Sequence, residues 1–379
     1  TVRQDFTKIP YFGNEVSLKI SRNGDLINKM YLVIELPKIK QTQTTNIGTN
    51  SLYCGWINHL VHIINYIDIK IGGKTIERLY PQWLDIYSEI FLTIDKQKSY
   101  NYLTLKSETI KLPEESGKKK QVIMIPLTFW FFNSGNALPL MCLHYHDVTI
   151  HTEFKKAKQI IKSNETIDNP VDINNNPLEI IDAYINVDYI FLDKQERSKL
   201  LQNPYETLIT QTQFTGIRTI PPNTLNYRYI IDHKYNVKEF FIMFQPISNV
   251  TEDSKDGNLF SNYNYYHDPI NFKSEILNEI ELLISAKPKH HVVNSKHYHG
   301  VNNFNYHTNS PNDYIYSYSF ALNPEEEQPS GTINLTETDS IIYNFKLNSV
   351  PDFVNVYLFS RNYNILRIDH GMGGVAFYE

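Results

Sequence analysis

The chain has 379 residues, 41% hydrophobic and 20% charged, which suits two or three folded domains and excludes long disorder. Its 36 Lys+Arg against 41 Asp+Glu leave a net charge of −5, without the basic excess that broad nucleic-acid binding requires. Ala, the best helix former, is scarce, while 27 Tyr, 20 Phe and abundant Ile favour pleated sheet, so an all-helical protein is excluded.

In chain order, residues 14–20 and 29–36 alternate with period two. Between them "SRNGDL" carries Asn23-Gly24, a strong hairpin signal because both residues tolerate φ > 0. Further strand-like runs lie at 60–71, 121–131, 143–154 and 180–192. The one convincing helix of the first half is 81–92, where Trp83, Ile86, Tyr87 and Ile90 share a face and Pro81 suits the first turn. Residues 193–204 turn polar and charged and read as a linker with a turn or two of helix, closed by Pro204. Strand-like runs resume at 207–214, 227–232, 239–245, 276–285, 314–322, 332–347 and 354–360.

Each half thus holds about eight short strands, and in each a Gly/Pro loop runs into a long strand at the corresponding place. The expectation is an all-β chain of two tandem jelly rolls, 1–192 and 205–379, with short helices in loops. Two long polar loops, 155–179 and 248–273, interrupt the pattern. They are expected to be mobile and to add little to either core.

The motifs that could carry chemistry each have a plainer reading. "IGGKT" at 71–75 resembles the end of a phosphate-binding loop, but position 68 is Asp where a Gly is needed and no helix follows, so a strand-end turn is preferred. Cys142, His144 and His146 would share one face of a strand and could hold a soft metal. The cupin spacing is absent, however, and structural histidines are preferred there. "KHHVVNSKHYHGVNNFNYH" (289–307) reads as a strand edge entering a solvated loop. Glu114-Glu115 and Glu325–Glu327 sit in loop-like text, and no nucleophile-elbow or HExxH pattern occurs. No catalytic residue, cofactor or metal is expected. Asn164, Asn249 and Asn334 open glycosylation sequons; the first two, in the long loops, are the candidates. Cys54 and Cys142 cannot build a disulfide framework, which points to a reducing compartment. No apolar run reaches the roughly 18 residues that span a bilayer. The chain opens on Thr1, so the lack of a targeting signal excludes nothing.

Six strings then occur in order: "SLKISRNGDLINKMYLVIELP" (17–37), "IDIKIGGKTIERLYPQWLDIYSEIF" (67–91), "IPLTFWFFNSGNALPLMCLHYHDVTIHTEF" (125–154), "VDYIFLDKQERSKL" (187–200), "SYSFALNPEEEQPSGTINL" (317–335) and "YNILRIDHGMGGVAFY" (363–378). Together they resemble the major capsid proteins of the nucleocytoplasmic large DNA viruses, from about residue 15 to the C-terminus. The motif positions are Asn23, Gly24, Asp25, Trp83, Pro139, Pro329, Gly331, Gly371 and Gly373, read as structural.

The resemblance implies a double jelly roll that trimerises into pseudo-hexagonal capsomers, which tile an icosahedral shell around an internal membrane. Implied partners are other copies of the chain, neighbouring capsomers, and minor capsid and penton proteins. No direct nucleic-acid contact is implied, and contact with the membrane is indirect. The implied location is the virion, with assembly in the host cytoplasm. The family usually has a further N-terminal segment that this sequence lacks, which implies an incomplete capsomer base.

By strand alternation both long loops should leave at one end, taken as exterior, with 81–92 at the opposite, inward end. Gly371, Gly373 and Gly374 are expected to serve backbone geometry. The rival readings are a tandem-cupin metalloenzyme using His144 and His146, and a carbohydrate-binding tandem jelly roll.

Overall fold

A computed structural model describes residues 1–40, 54–106, 117–132, 135–163, 166–255, 257–263, 265–266, 274–312 and 314–377. The first half runs β1 (Val2–Asp5), β2 (Glu15–Lys19), β3 (Leu26–Leu36), β4 (Cys54–Trp56), β5 (Ile64–Ile71), β6 (Lys74–Leu79), α1 (Pro81–Ile90), α2 (Ile94–Thr104), β7 (Gln121–Pro126), β8 (Val148–Phe154), β9 (Ile161–Ser163) and β10 (Asp182–Ile190). Helix α3 (Lys194–Gln202) leads into β11 (Tyr205–Phe214), β12 (Arg218–Ile220), β13 (Asn226–Ile230), β14 (Asn236–Pro246) and the short α4 (Ile247–Val250). Then come β15 (Tyr265–Tyr266), β16 (Ser274–Glu275), β17 (Leu277–Ile284), β18 (Lys287–Asn294), α5 (Asn302–Tyr306), β19 (Tyr316–Ser319), β20 (Ile333–Asn334), β21 (Ile341–Leu347), β22 (Val354–Asp369) and β23 (Met372–Val375).

Strand order makes the two halves equivalent. The first packs the sheet β1-β10-β3-β7 against β2-β8-β5-β6; the second packs β11-β22-β14-β19 against β13-β21-β17-β18. Counting the eight framework strands of either half from its start, both sandwiches read 1-8-3-6 and 2-7-4-5. That is a jelly roll twice over. Helices α1 and α2 fill the connection between the fifth and sixth framework strands, and α5 occupies the same place in the second half.

Alternation sets the faces. In β8, Val148, Ile150, Thr152 and Phe154 point inward and the residues between them are half-exposed. Strand β14 is buried on both faces: Phe240, Ile242 and Phe244 belong to the second core, whereas Phe241 and Met243 join the first. Strand β22 divides in the same way, with Val356 and Leu358 facing the second core and Tyr357 and Phe359 the first. The central sheet of the second sandwich is therefore a shared wall.

Several expectations are corrected. Residues 14–20 and 29–36 are not a hairpin, because β2 pairs with β8 while β3 pairs with β10 and β7. The 21–25 turn crosses between sheets, and neither Asn23 nor Gly24 has positive φ. The hairpin is instead β5–β6, whose turn residues Gly72 and Gly73 have φ of 58° and 81°, so "IGGKT" is a strand-to-strand turn. Helix α2, unforeseen, has almost no amphipathic periodicity and is set by its Thr93 cap and buried Tyr100. Residues 332–347 split into β20 and β21, which lie in opposite sheets.

The predicted placing of 81–92 at the end opposite the long loops is also corrected. Register pairs Ile64 with Phe154 and Ile67 with Leu79, so the chain enters α1 at the end where it leaves β8 for the 155–179 loop. The β5–β6 hairpin brings it back there. The two long loops do meet: Ser163 N–H donates to Ser254 O (2.8 Å), and Lys162 Nζ to the carbonyls of Lys255 (2.6 Å) and Gly257 (2.7 Å). Nor are they marginal to packing, since Ile160, Ile161, Phe260 and Tyr263 are core residues.

Candidate functional site: the seam between the sandwiches

Several of the family-motif residues, among them Gly24, Asp25, Trp83, Gly371 and Gly373, lie where the two sandwiches and their connection meet. Asp25 clamps that connection: its Oδ2 accepts from Leu192 N–H (2.8 Å) and from Arg197 Nε (3.1 Å) and Nη2 (2.8 Å). Arg197 lies on α3, which starts with a capping box between Asp193 and Glu196. Gly24 makes room for this corner, because a Cβ there would lie 2.6 Å from Tyr189 Cβ. Asn23 is exposed. Pro139 precedes a 3-10 turn at 140–142 and accepts from Cys142 N–H (3.1 Å).

The C-terminal glycines seat the last strand of the second half on the first. Tyr145 N–H donates to Gly371 O (2.9 Å), and His146 Nδ1 lies 3.1 Å from Gly373 N and 3.0 Å from Gly373 O. Gly371 has φ of 81°, and a Cβ at Gly373 would meet Leu143 Cδ2 at 2.5 Å; at Gly374 it would meet nothing within 4 Å. Residues 143–147 are not a strand, and Cys142 is buried while His144 is exposed, so the supposed metal face does not form. Gly331 has φ of 150°, and its Cβ would lie 2.5 Å from Phe320 O; Pro329 beside it is exposed.

The middle of the seam is aromatic. Trp83, 3% exposed, meets Phe91, Phe241 and Phe359 at ring distances of 5.9, 5.7 and 6.1 Å, joining α1 to the shared wall. Glu77 on β6 accepts from Trp130 N–H (3.1 Å) and Thr212 N–H (3.3 Å). Burial pushes its carboxyl up to about 8 in spite of those bonds. Arg361 pairs with the buried Glu239 at 2.7 Å, and His307 sits between Glu239 (3.6 Å) and Glu325 (3.3 Å). Burial lowers Lys238 to about 7.

One constellation escaped the sequence reading. His59 precedes a 3-10 turn (Leu60–Ile63) that contains His62, and both face Asp85 of α1, with His59 Nδ1 2.6 Å from Oδ1 and His62 Nε2 2.7 Å from Oδ2. Tyr263 of the 248–273 loop donates to Oδ2 (2.6 Å), and Phe260 stacks on His62 at 5.6 Å. All three cluster residues are at most 2% exposed. Burial lowers both imidazoles, His62 to about 4; burial alone would raise Asp85, but His62 and His59 outweigh it and hold the carboxyl well below its usual range. Lys155 donates to Ile64 O (2.9 Å), and burial lowers it to about 7. The signal was His59-Leu-Val-His62, a three-residue spacing that matters only if a 3-10 turn forms.

Asn249 is corrected as a glycosylation candidate: it is 9% exposed and its Nδ2 donates to Asn262 O (3.1 Å), so no sugar fits there. Asn164 and Glu114-Glu115 lie outside the described residues, as do the side chains of His290 and His291. Residues 289–307 are strand β18, a π turn and α5 rather than a solvated loop.

Two family models divide the chain at the connection: major capsid protein N-terminus matches residues 1–193 and large eukaryotic DNA virus major capsid protein matches 196–374. The major capsid protein of Pyramimonas orientalis virus is 30% identical, covering all of this chain and 89% of the relative. That of Phaeocystis pouchetii virus is 27% identical, covering 100% and 92%. In fold, the chain matches the PBCV-1 virus capsid with a TM-score of 0.80 at 23% identity, covering 100% of this chain and 96% of the other. The Faustovirus major capsid protein gives 0.77 at 10% identity, covering 97% and 90%. The chain belongs to the major capsid protein family of large eukaryotic DNA viruses: it is a structural component of the virion shell, not an enzyme.

Proposed function

We propose that the chain trimerises into pseudo-hexagonal capsomers that tile an icosahedral shell. The observation that carries this reading is the doubled strand order: three chains with two like sandwiches each supply six similar units around one axis. Edge strands supply the contacts. Val2 on β1, Val122 on β7, Leu208 on β11, Ile230 on β13 and Val292 on β18 are 37–47% exposed, apolar, and placed where a neighbour would cover them.

Partners in this reading are neighbouring capsomers, with minor capsid and penton proteins at special positions. Assembly takes place in the host cytoplasm, and contact with the internal membrane is indirect. The end bearing both long loops and α1 is assigned to the exterior. A trimer of the 44.4 kDa chain has a mass of about 133 kDa. Light scattering should give that mass, and negative-stain images should have pseudo-hexagonal outlines. A folded monomer at micromolar concentration would refute the proposal. Limited proteolysis of intact particles tests the orientation: cleavage should fall at the loop end and spare the 71–73 turn.

A further inference from the structure

We propose that His59, His62 and Asp85 form a binding site for a single divalent transition-metal ion of the zinc class, which fastens the second sandwich's long loop to the first sandwich. The argument begins with the turn. His62 N–H bonds back to His59 O (3.3 Å), and a 3-10 turn of three residues eclipses side chains at i and i+3, so both rings project to one side. Asp85, in the middle of α1, faces them, and one ligand atom from each residue lies within 4.8 Å of the others.

His62 Nε2 and Asp85 Oδ2 make an ordinary hydrogen bond (2.7 Å), but the His59 side of the cluster is not explained in that way. His59 Nδ1 and Asp85 Oδ1 approach to 2.6 Å, yet neither atom has an aligned hydrogen-bond partner; His59 Nε2 and His62 Nδ1 have none either. Buried polar atoms left in that state cost free energy, and a cation between His59 Nδ1 and Asp85 Oδ1 removes the cost for those two atoms. Two imidazole nitrogens and one carboxylate oxygen are a donor set suited to zinc. Ligands of a tetrahedral ion held at about 2.0–2.1 Å stand roughly 3.3 Å apart, so loading must spread the 2.6 and 2.7 Å contacts by about 0.6–0.7 Å. Tyr263, already on Asp85 Oδ2, or a water would complete the shell.

The consequence is mechanical. Phe260 and Tyr263 rest on His62 and Asp85, so an ion there ties the connection between the third and fourth framework strands of the second sandwich to α1. The full chain is stripped with chelator, reloaded with Zn²⁺ or Co²⁺, gel-filtered and assayed by elemental analysis, visible absorption and melting. The expected result is one equivalent of zinc per chain, ligand-field bands of tetrahedral Co²⁺, and a melting temperature that chelation lowers and zinc restores. His62→Gln and His59→Gln should each lower bound metal at least tenfold, while His146→Gln, at the other end, should not. Wild-type chain that retains under a tenth of an equivalent and gives no cobalt bands overturns the proposal, and that readout does not depend on whether a variant folds.

Discussion

Truncating Trp83 to Ala tests whether the two sandwiches are one cooperative body. The indole is 3% exposed and packs against Phe91 and against Phe241 and Phe359 of the shared wall, Phe91 and Phe241 also touching each other at 5.8 Å. Removing a buried Trp costs about 3–5 kcal/mol through lost transfer energy and the cavity left behind. Ring pairs of this kind add about 0.5–1.5 kcal/mol each beyond buried area, so the upper half of that range is expected. At about 2.1 cal/mol/K per residue, the 379-residue chain unfolds with about 0.8 kcal/mol/K, and 4–5 kcal/mol lowers the melting temperature by about 5–6 °C. The decisive assay is a double-mutant cycle of Trp83→Ala with Phe359→Leu in denaturant, which should give a coupling energy of about 1 kcal/mol. Calorimetry of Trp83→Ala should also split one transition into two. A cost below about 1 kcal/mol with a single unchanged transition would refute the reasoning.

Three further outcomes follow from the geometry. Gly331→Ala should destabilise by about 2 kcal/mol or more, because φ of 150° strains any L residue and the new Cβ meets the Phe320 carbonyl at 2.5 Å; thermal melting checks it. Gly373→Val should lower folded yield by pushing β23 off Leu143, whereas Gly374→Ala, which meets nothing within 4 Å, should not; soluble expression compares them. Glu77 gives a pH signature. Its carboxyl titrates at about 8 when folded against 4.5 unfolded, so between those values the folded chain holds a proton the unfolded one has lost. Its contribution is favourable below 4.5 and is lost as pH rises to about 8, by about 1.4 kcal/mol per unit at most. The stability advantage of Glu77→Gln over the parent should grow from pH 5 to pH 8, and a constant difference would refute the assignment.

Sequence periodicity was a good guide wherever one face of a strand is wet. Strand β8 alternates cleanly and was found; so were most framework strands and the doubled pattern. Legibility failed where tertiary contacts decide. Residues 21–25 look like a hairpin turn, yet the corner is specified by Tyr189 and Arg197, both more than 160 residues away. Helix α2 has no amphipathic stripe to read. The continuous apolar run of β14 gave a strand but not its second buried face, because nothing local announces that another sandwich lies beyond. The His59–His62–Asp85 cluster depends on a turn type and a helix 23 residues downstream of His62. Its residues were visible only one at a time.

The docking of β23 on the first sandwich sets an order of events during synthesis. His146 waits for a partner 227 positions further along the chain, and Trp83 waits for Phe359. The ribosome therefore releases a first sandwich whose seam stays uncovered until β22 and β23 have emerged, at a cost in loop closure that slows non-local pairing. Until then the exposed aromatic wall is a surface that another nascent chain could cover wrongly. Emergence of β22 and β23 is thus the step that closes the seam, and a ribosome stalled before β23 should yield an aggregating half-closed chain rather than a slightly shortened subunit.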